Sequence, residues 1–185
     1  AGIINPKNRG MAAKATLVNQ FFSDIIVNAP IYSSDYNMVV TNNSYHSAAN
    51  GCAGEGGYNV LSVYADAQIS SNPSLLHVVA AGNDGDLTCS PFPSGFGTVK
   101  SGWQCAKNVL TVGALNLDNY SIASYSSRGP VADGRIKPEI TANGFAVLST
   151  NANNNYGINY GTSMAAPAVT GALTLMHERY RQLQG

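Results

Sequence analysis

Four short apolar runs, Ala13–Gln20, Met38–Thr41, Leu75–Ala81 and Val109–Ala114, are each bordered by turn-forming residues. Val, Leu and Ala follow one another in them without strict alternation, the pattern of strands buried on both faces of a parallel sheet. Between the runs the spacing becomes helical. Ser23–Tyr36 is predicted as a helix although Pro30 interrupts it. Asn59–Ser71 sets Leu61, Tyr64, Ala65, Gln68 and Ile69 near one face, with Pro73 as a stop signal. A third helix is predicted from Thr162 to about Arg181, with Ala165, Val169, Ala172, Leu173, Met176 and Tyr180 at helical spacing. Strands alternating with helices predict an α/β fold with right-handed crossovers. Leu115–Tyr160 differs: SIASYSS, AVLST and YGINY are split by Gly, Pro and Asn, which predicts hairpins and surface loops. Asp84–Asn108 is a long Gly/Pro-rich loop, and loops of that length inside a compact domain are usually functional. No repeat or linker marks a second domain.

The 185 residues carry 10 Lys+Arg and 10 Asp+Glu, so there is no basic footprint for nucleic acid and no polybasic membrane patch. Charged residues are only 11%, against about 25% in average domains. Hydrophobic residues at 44% still suffice for a core, which argues against disorder. No apolar run approaches the ~18 residues of a membrane span. The first residues, Ala-Gly-Ile-Ile-Asn-Pro-Lys, lack the layout of a signal peptide. Cys52, Cys89 and Cys105 form no C-x-x-C pair and there are three histidines, so neither a zinc site nor any cofactor is expected. Free thiols in loops compete with one bridge and one leftover; the low charge and the Asn/Ser/Tyr content suggest a secreted or periplasmic protein and tilt the reading toward a bridge.

Candidate chemistry lies in two segments. In Gly161-Thr162-Ser163-Met164-Ala165-Ala166-Pro167, Ser163 stands where loop becomes helix. Its N–H is one of the unpaired first-turn donors, and the helix dipole favours negative charge beside it. A serine there can offer its hydroxyl to a carbonyl while its own N–H stabilises the resulting oxyanion. Plain capping by Thr162 or Ser163 is the competing explanation. In Val78-Val79-Ala80-Ala81-Gly82-Asn83-Asp84-Gly85 a buried strand ends in small residues and an asparagine at the carboxyl edge, where α/β sheets bind ligands. The Asn83 amide would serve as a second oxyanion donor. A simple turn is the alternative, because Asn-Asp-Gly is strong turn chemistry.

Together these segments resemble the subtilisin-like serine peptidases (subtilases), matching the block around the nucleophile and the block around the oxyanion-hole asparagine. Further pieces follow in the family's order: Gly10–Ala15, Val40–Tyr45, Asn108–Ala114 and Tyr125-Ser126-Ser127-Arg128-Gly129-Pro130. The resemblance implies a three-layer subtilisin-like fold with a mainly parallel central sheet flanked by helices. It implies endopeptidase chemistry with Ser163 as nucleophile, Asn83 and the Ser163 N–H as oxyanion hole, and Thr162 in support. Ser44, Tyr45 and His46, with Ala80, Ala81 and Gly82, would flank the substrate pocket. An extended peptide would pair with those two strand ends. Cys52 and Cys89 would each sit just beyond a pocket-forming strand end, which favours a Cys52–Cys89 bridge over Cys89–Cys105.

The resemblance also exposes a gap. Serine catalysis needs a histidine to take the hydroxyl proton and a carboxylate to orient it. The family's Asp-(Ser/Thr)-Gly and His-Gly-Thr-His blocks do not occur here, so residues 1–185 are expected to be the C-terminal portion of one catalytic domain, lacking its N-terminal part and nearly inert alone. His177 lies 14 residues along the helix from Ser163, roughly 21 Å at ~1.5 Å per residue. His77 lies about 20 Å before Asn83 along an extended strand and reads as a strand histidine with a local partner. His46 is read as a pocket-wall side chain. Smaller departures are Ala13 and Asn143, each where the family usually has proline, and Ala168, where it commonly has histidine. Asn5-Pro6-Lys7-Asn8 does not reproduce the calcium loop, so no metal ligand is carried over. Asp84, Asp86 and Asp118 read as solvated loop carboxylates. Partners expected are an extended peptide or protein substrate, and the missing N-terminal part or a second copy; no nucleic acid or membrane partner is expected. A non-catalytic peptide-binding module is the alternative function. An α/β-hydrolase fits poorly, since Ala165 replaces the second glycine of Gly-x-Ser-x-Gly and no suitable histidine follows.

Overall fold

The computed structural model describes residues 10–153 and 155–184. The Asn5–Asn8 stretch lies outside them. Three predicted strands form, as β1 (Val40–Asn43), β2 (Leu76–Ala80) and β3 (Leu110–Asn116). They pair in parallel, with Asn43 opposite Val79 and Ala80 opposite Val112. A short β4 (Ser121–Ile122) folds back antiparallel on β3, and β5 (Ile140–Asn143) adds to β3 in parallel. β6 (Val147–Asn151) and β7 (Asn155–Asn159) make a separate antiparallel hairpin. The hairpin was expected from AVLST and YGINY. β5 was not, because ITAN is too short and polar to announce a strand of the main sheet.

Strand alternation sorts the core into two layers. On one face Val78, Ala80, Val112 and Ala114 meet Ala165, Ala166 and Val169 of helix α3 (Thr162–Gln184). On the other, Val79 packs with Ile26 of α1 (Ile25–Tyr36) and Ala65 of α2 (Val60–Ser71). Helices therefore cover both faces of a mainly parallel sheet, which explains the unbroken apolar strands. Asn59 caps α2: its side chain accepts from the Leu61 N–H while the Asn59 N–H donates to Ser62. No described helix is long and apolar enough to cross a membrane.

Two prolines sit inside helices without breaking them. Each lacks the N–H that would bond the carbonyl four residues earlier. Pro30 thereby frees Ile26 O, which accepts from Gln68 Nε2 at 2.9 Å. Pro167 frees Ser163 O, which accepts from Ser44 Oγ at 3.0 Å. In both cases a side chain of another element fills the vacancy and ties the helix to its neighbour.

Two expectations need correction. Ala13–Gln20 is not a strand; Met11–Lys14 form a turn closed by Ala15 N–H to Ala12 O, and the following residues have no ladder partner. A strand is held by its neighbours, and no described strand pairs with this one. The apolar face of α3 is covered only along its first half. Ala165 and Val169 are buried, whereas Met176 and Tyr180 are exposed. A groove of about 680 Å³ lies between the β1 edge, residues 12–20 and another side of the end of α3, lined there by Thr174, His177, Glu178 and Arg181.

Cys52 and Cys89 form a disulfide, with Cα atoms 5.2 Å apart, and Cys105 is a free buried thiol whose pKa burial pushes up to about 12. The bridge closes a sequence separation of 37 residues. Loop-closure entropy then gives about 4 kcal/mol of stabilisation. Reduction, or the Cys52→Ser/Cys89→Ser pair, is expected to lower the urea unfolding free energy by that order.

Candidate active site

The site forms where β1 and β2 end against the start of α3. Ser163 Oγ donates to Ser44 O at 3.2 Å, and Ser44 Oγ donates to the carbonyl that Pro167 freed. Ser44 is held in turn by Asn42 Nδ2 at 3.1 Å, and Asn42 Oδ1 accepts from Thr170 Oγ1 of α3 at 3.2 Å. The first three turns of α3 and the end of β1 are thus laced together by short polar side chains.

Asn83 is fixed from one end only. Its Oδ1 accepts from the Thr162 N–H at 2.9 Å and from the Thr162 hydroxyl at 3.2 Å. Among the described residues nothing hydrogen-bonds its Nδ2, and the side chain is exposed. An amide anchored by its oxygen presents its two N–H donors to the opening. Thr162 is buried and also bonds Gly82, through the Gly82 N–H at 3.2 Å. Two glycines permit this approach. Gly161 has φ +136°, and a Cβ there would meet Asn83 Nδ2 at 3.1 Å; Gly82 has φ +116°, and a Cβ would meet Ser127 Oγ at 2.9 Å.

A cavity of about 100 Å³ opens beside Ser163, lined by Ser44, Tyr45, His46, Asn50, Ala80 and Gly82, with Asn83, Asp84, Lys100 and Thr162 completing it. The predicted site residues thus converge, with one difference. Ala81 does not line the cavity; its side chain is buried with Val99, Cys105 and Val131, and its carbonyl accepts from the Lys100 N–H at 3.0 Å. Alternation along the strand turns it to the other face.

Two residues of this wall were misread or missed from sequence. Asp84 is no solvated loop carboxylate: it forms an ion pair with Lys100, whose side chain is 2% exposed. Lys100 carried no motif, and 16 positions of irregular loop separate it from Asp84. Burial lowers the Lys100 pKa, opposed by the nearby Glu55 carboxylate, and burial raises the Glu55 pKa.

Behind the cavity runs a buried polar chain. Tyr45 OH donates to Asn43 Oδ1 at 3.0 Å, and burial pushes the phenol up to about 12. Asn43 Nδ2 donates to Thr41 Oγ1 at 2.7 Å, and Thr41 Oγ1 meets His77 Nδ1 at 2.8 Å. His77 Nε2 meets Gln68 Oε1 at 2.7 Å. Gln68 spends its NH₂ on Ile26 O, so its oxygen must accept from Nε2–H, leaving Nδ1 to accept from Thr41. His77 is therefore the neutral strand histidine with local partners that was expected. His177 is half-buried at the large groove, remote from Ser163 along α3, and His46 is exposed, its Nδ1 3.2 Å from Ala48 O.

Burial lowers the His77 pKa from 6.5 to about 4. Between those values the unfolded chain binds a proton that the folded chain refuses, so stability falls as pH drops through that window. The expected loss from pH 7.5 to 4.5 is about 2–3 kcal/mol for this residue. Urea unfolding at the two pH values should show a drop that is smaller by that amount in His77→Gln.

A streptococcal C5a peptidase (Streptococcus pyogenes) is 48% identical over 59 residues, covering 32% of this chain and 5% of its own length. The serine protease AprX of Bacillus subtilis is 36% identical over 91 residues, covering 38% of this chain and 21% of AprX. The chain thus matches only a small part of these relatives. The structure of the Clostridium perfringens CspB protease superposes with a TM-score of 0.74 at 17% identity, over 96% of this chain and 67% of that one, a likeness of fold. The subtilase family model (Peptidase S8) matches residues 6–185, nearly the whole sequence. The chain belongs to the subtilase family.

Proposed function

We propose that residues 1–185 are the C-terminal portion of one subtilase catalytic domain and carry the nucleophile and oxyanion-binding half of a serine endopeptidase. The observation that carries this reading is the Asn83 amide, held by its oxygen on the Thr162 N–H and hydroxyl, its nitrogen without a bond from any described residue, next to Ser163 at the start of α3. In the proposed reaction Ser163 Oγ attacks a peptide carbonyl. The negative oxygen that forms takes hydrogen bonds from Asn83 Nδ2 and the Ser163 N–H, reinforced by the positive end of the α3 dipole. Thr162 is a positioning residue acting through Asn83.

The hydroxyl proton needs a base, and its acceptor here is the neutral carbonyl of Ser44. The chain alone is therefore proposed to be nearly inert, with a histidine and a carboxylate supplied by an N-terminal part. The parallel ladder supports this: β1 pairs only with β2 among the described strands, and its other edge borders the large groove, flanked by α1 and α3. An unpaired edge between two helix layers is shaped to receive another strand, from the N-terminal part or a second copy. Substrate is proposed to be an extended peptide lying along Ser44–His46 and Ala80–Gly82. The Cys52–Cys89 bridge and the low charge support secretion.

The test is covalent labelling of Ser163 by a fluorophosphonate probe in this chain and in a longer one extended at its N-terminus. Labelling at Ser163 only in the longer chain supports the peptidase. Binding of peptides with no labelling in either supports a non-catalytic peptide-binding module.

A further inference from the structure

We propose that Lys100 and Asp84 select the substrate side chain entering the cavity beside Ser163, and that they select a primary carboxamide, glutamine or asparagine. This inference rests on the proposed function, in that a peptide must lie in the groove for its side chain to reach the cavity.

The pair is a built feature. Lys100 is fixed by its N–H on Ala81 O and by a bridge to Glu55, and its Cγ packs where a Gly82 Cβ would come within 3.0 Å. Its aliphatic stem therefore needs the bare backbone of Gly82. Its ammonium reaches Asp84 and, among the described residues, no hydrogen-bond acceptor otherwise, although an ammonium has three donors. Asp84 is half-buried, and its Oδ1 takes no bond from any described residue. Donor and acceptor capacity thus lie side by side in the cavity wall, within an ion pair whose ammonium also feels the Glu55 carboxylate.

That arrangement fits one side-chain chemistry best. An entering ammonium or guanidinium meets the Lys100 ammonium in the cavity wall, which Glu55 does not line, and an entering carboxylate meets Asp84; either brings a further charge against a largely desolvated group. An aliphatic side chain leaves the spare donors of Lys100 and the free Asp84 oxygen without water or partner. A carboxamide offers its oxygen to Lys100 and its NH₂ to Asp84, and adds no charge. At about 100 Å³ the cavity is far below the ~300 Å³ at which small-molecule sites begin, and suits one short side chain.

The experiment measures fluorescence anisotropy of fluorescein-labelled peptides Ala-Ala-Ala-X on the intact 185-residue chain, with X as Gln, Asn, Met, Leu, Glu or Lys. Gln and Asn peptides are expected to bind at least about tenfold more tightly than the others, Met being the near-isostere of Gln; sites built around a substrate hydrogen bond reject analogues lacking it by such factors or more. Asp84→Asn, which leaves the Lys100 charge unpaired, is expected to move the preference to Glu. Equal binding of all six, or a preference for Met, Leu, Glu or Lys in the unmodified chain, overturns this inference alone. Failure of all six to bind overturns it together with the groove reading.

Discussion

Extending the chain at its N-terminus to include a histidine and a carboxylate is expected to raise the rate of fluorophosphonate labelling at Ser163 by several orders of magnitude. The reason is a single hydrogen bond. Ser163 Oγ donates to Ser44 O, a neutral carbonyl that cannot take the proton. At neutral pH an unactivated serine is a poor nucleophile, and the proposed half-site would then offer only oxyanion stabilisation. For a peptidase of the same family, measured loss of triad members costs about 10⁶ in turnover and leaves about 10³–10⁴ over water. Labelling is read by mass spectrometry of the modified peptide, with Ser163→Ala as control. Fast labelling of the 185-residue chain by itself would show that a base is already present, and His46, at the cavity wall, would be the first to replace.

In that longer chain, Asn83→Ala is expected to lower kcat for peptide hydrolysis about 10²–10³-fold with little change in KM. This is the cost measured for removing one oxyanion-hole donor in a peptidase of this family. The geometry explains why the loss should fall on kcat. In the proposed reaction Asn83 would contribute Nδ2 donors that meet charge only after attack, since its oxygen is already occupied by Thr162. A donor used only in the transition state lowers kcat and kcat/KM together. A matching rise in KM with unchanged kcat would mean that Asn83 merely holds the loop. Far-ultraviolet circular dichroism and the unfolding midpoint distinguish that case, because a structural role would move them too.

Much of the fold was legible because it rests on short-range physics. Val78 and Val79, buried on opposite faces, announce a strand covered by two helix layers, and Asn59 with its capping box announces the start of α2. The β6–β7 hairpin follows from its Gly and Asn punctuation. Where the reading failed, the deciding partner was remote. Ala13–Gln20 has strand-like residues and no ladder, whereas Ile140–Asn143 has little strand character and a ready edge on β3. The spacing puts Gln68 near the apolar face of α2, but its role depends on Pro30 in α1 and on His77 in β2.

The site divides in the same way. Ser163, Asn83 and Thr162 are visible in the sequence because their chemistry is carried by contiguous blocks: a serine and threonine at a helix start, and an asparagine after a strand of small residues. Their meeting needed the parallel pairing of β1 and β2 over α3, a contact between residues about eighty positions apart. Lys100 and Asp84 belong wholly to tertiary structure. A lone lysine and a lone aspartate in loops read as solvated, and the buried lysine meets the half-buried aspartate only because Gly82, having no Cβ, leaves room for the lysine stem. Local pattern is written in neighbouring residues; a desolvated charge pair is a property of the space that the fold encloses.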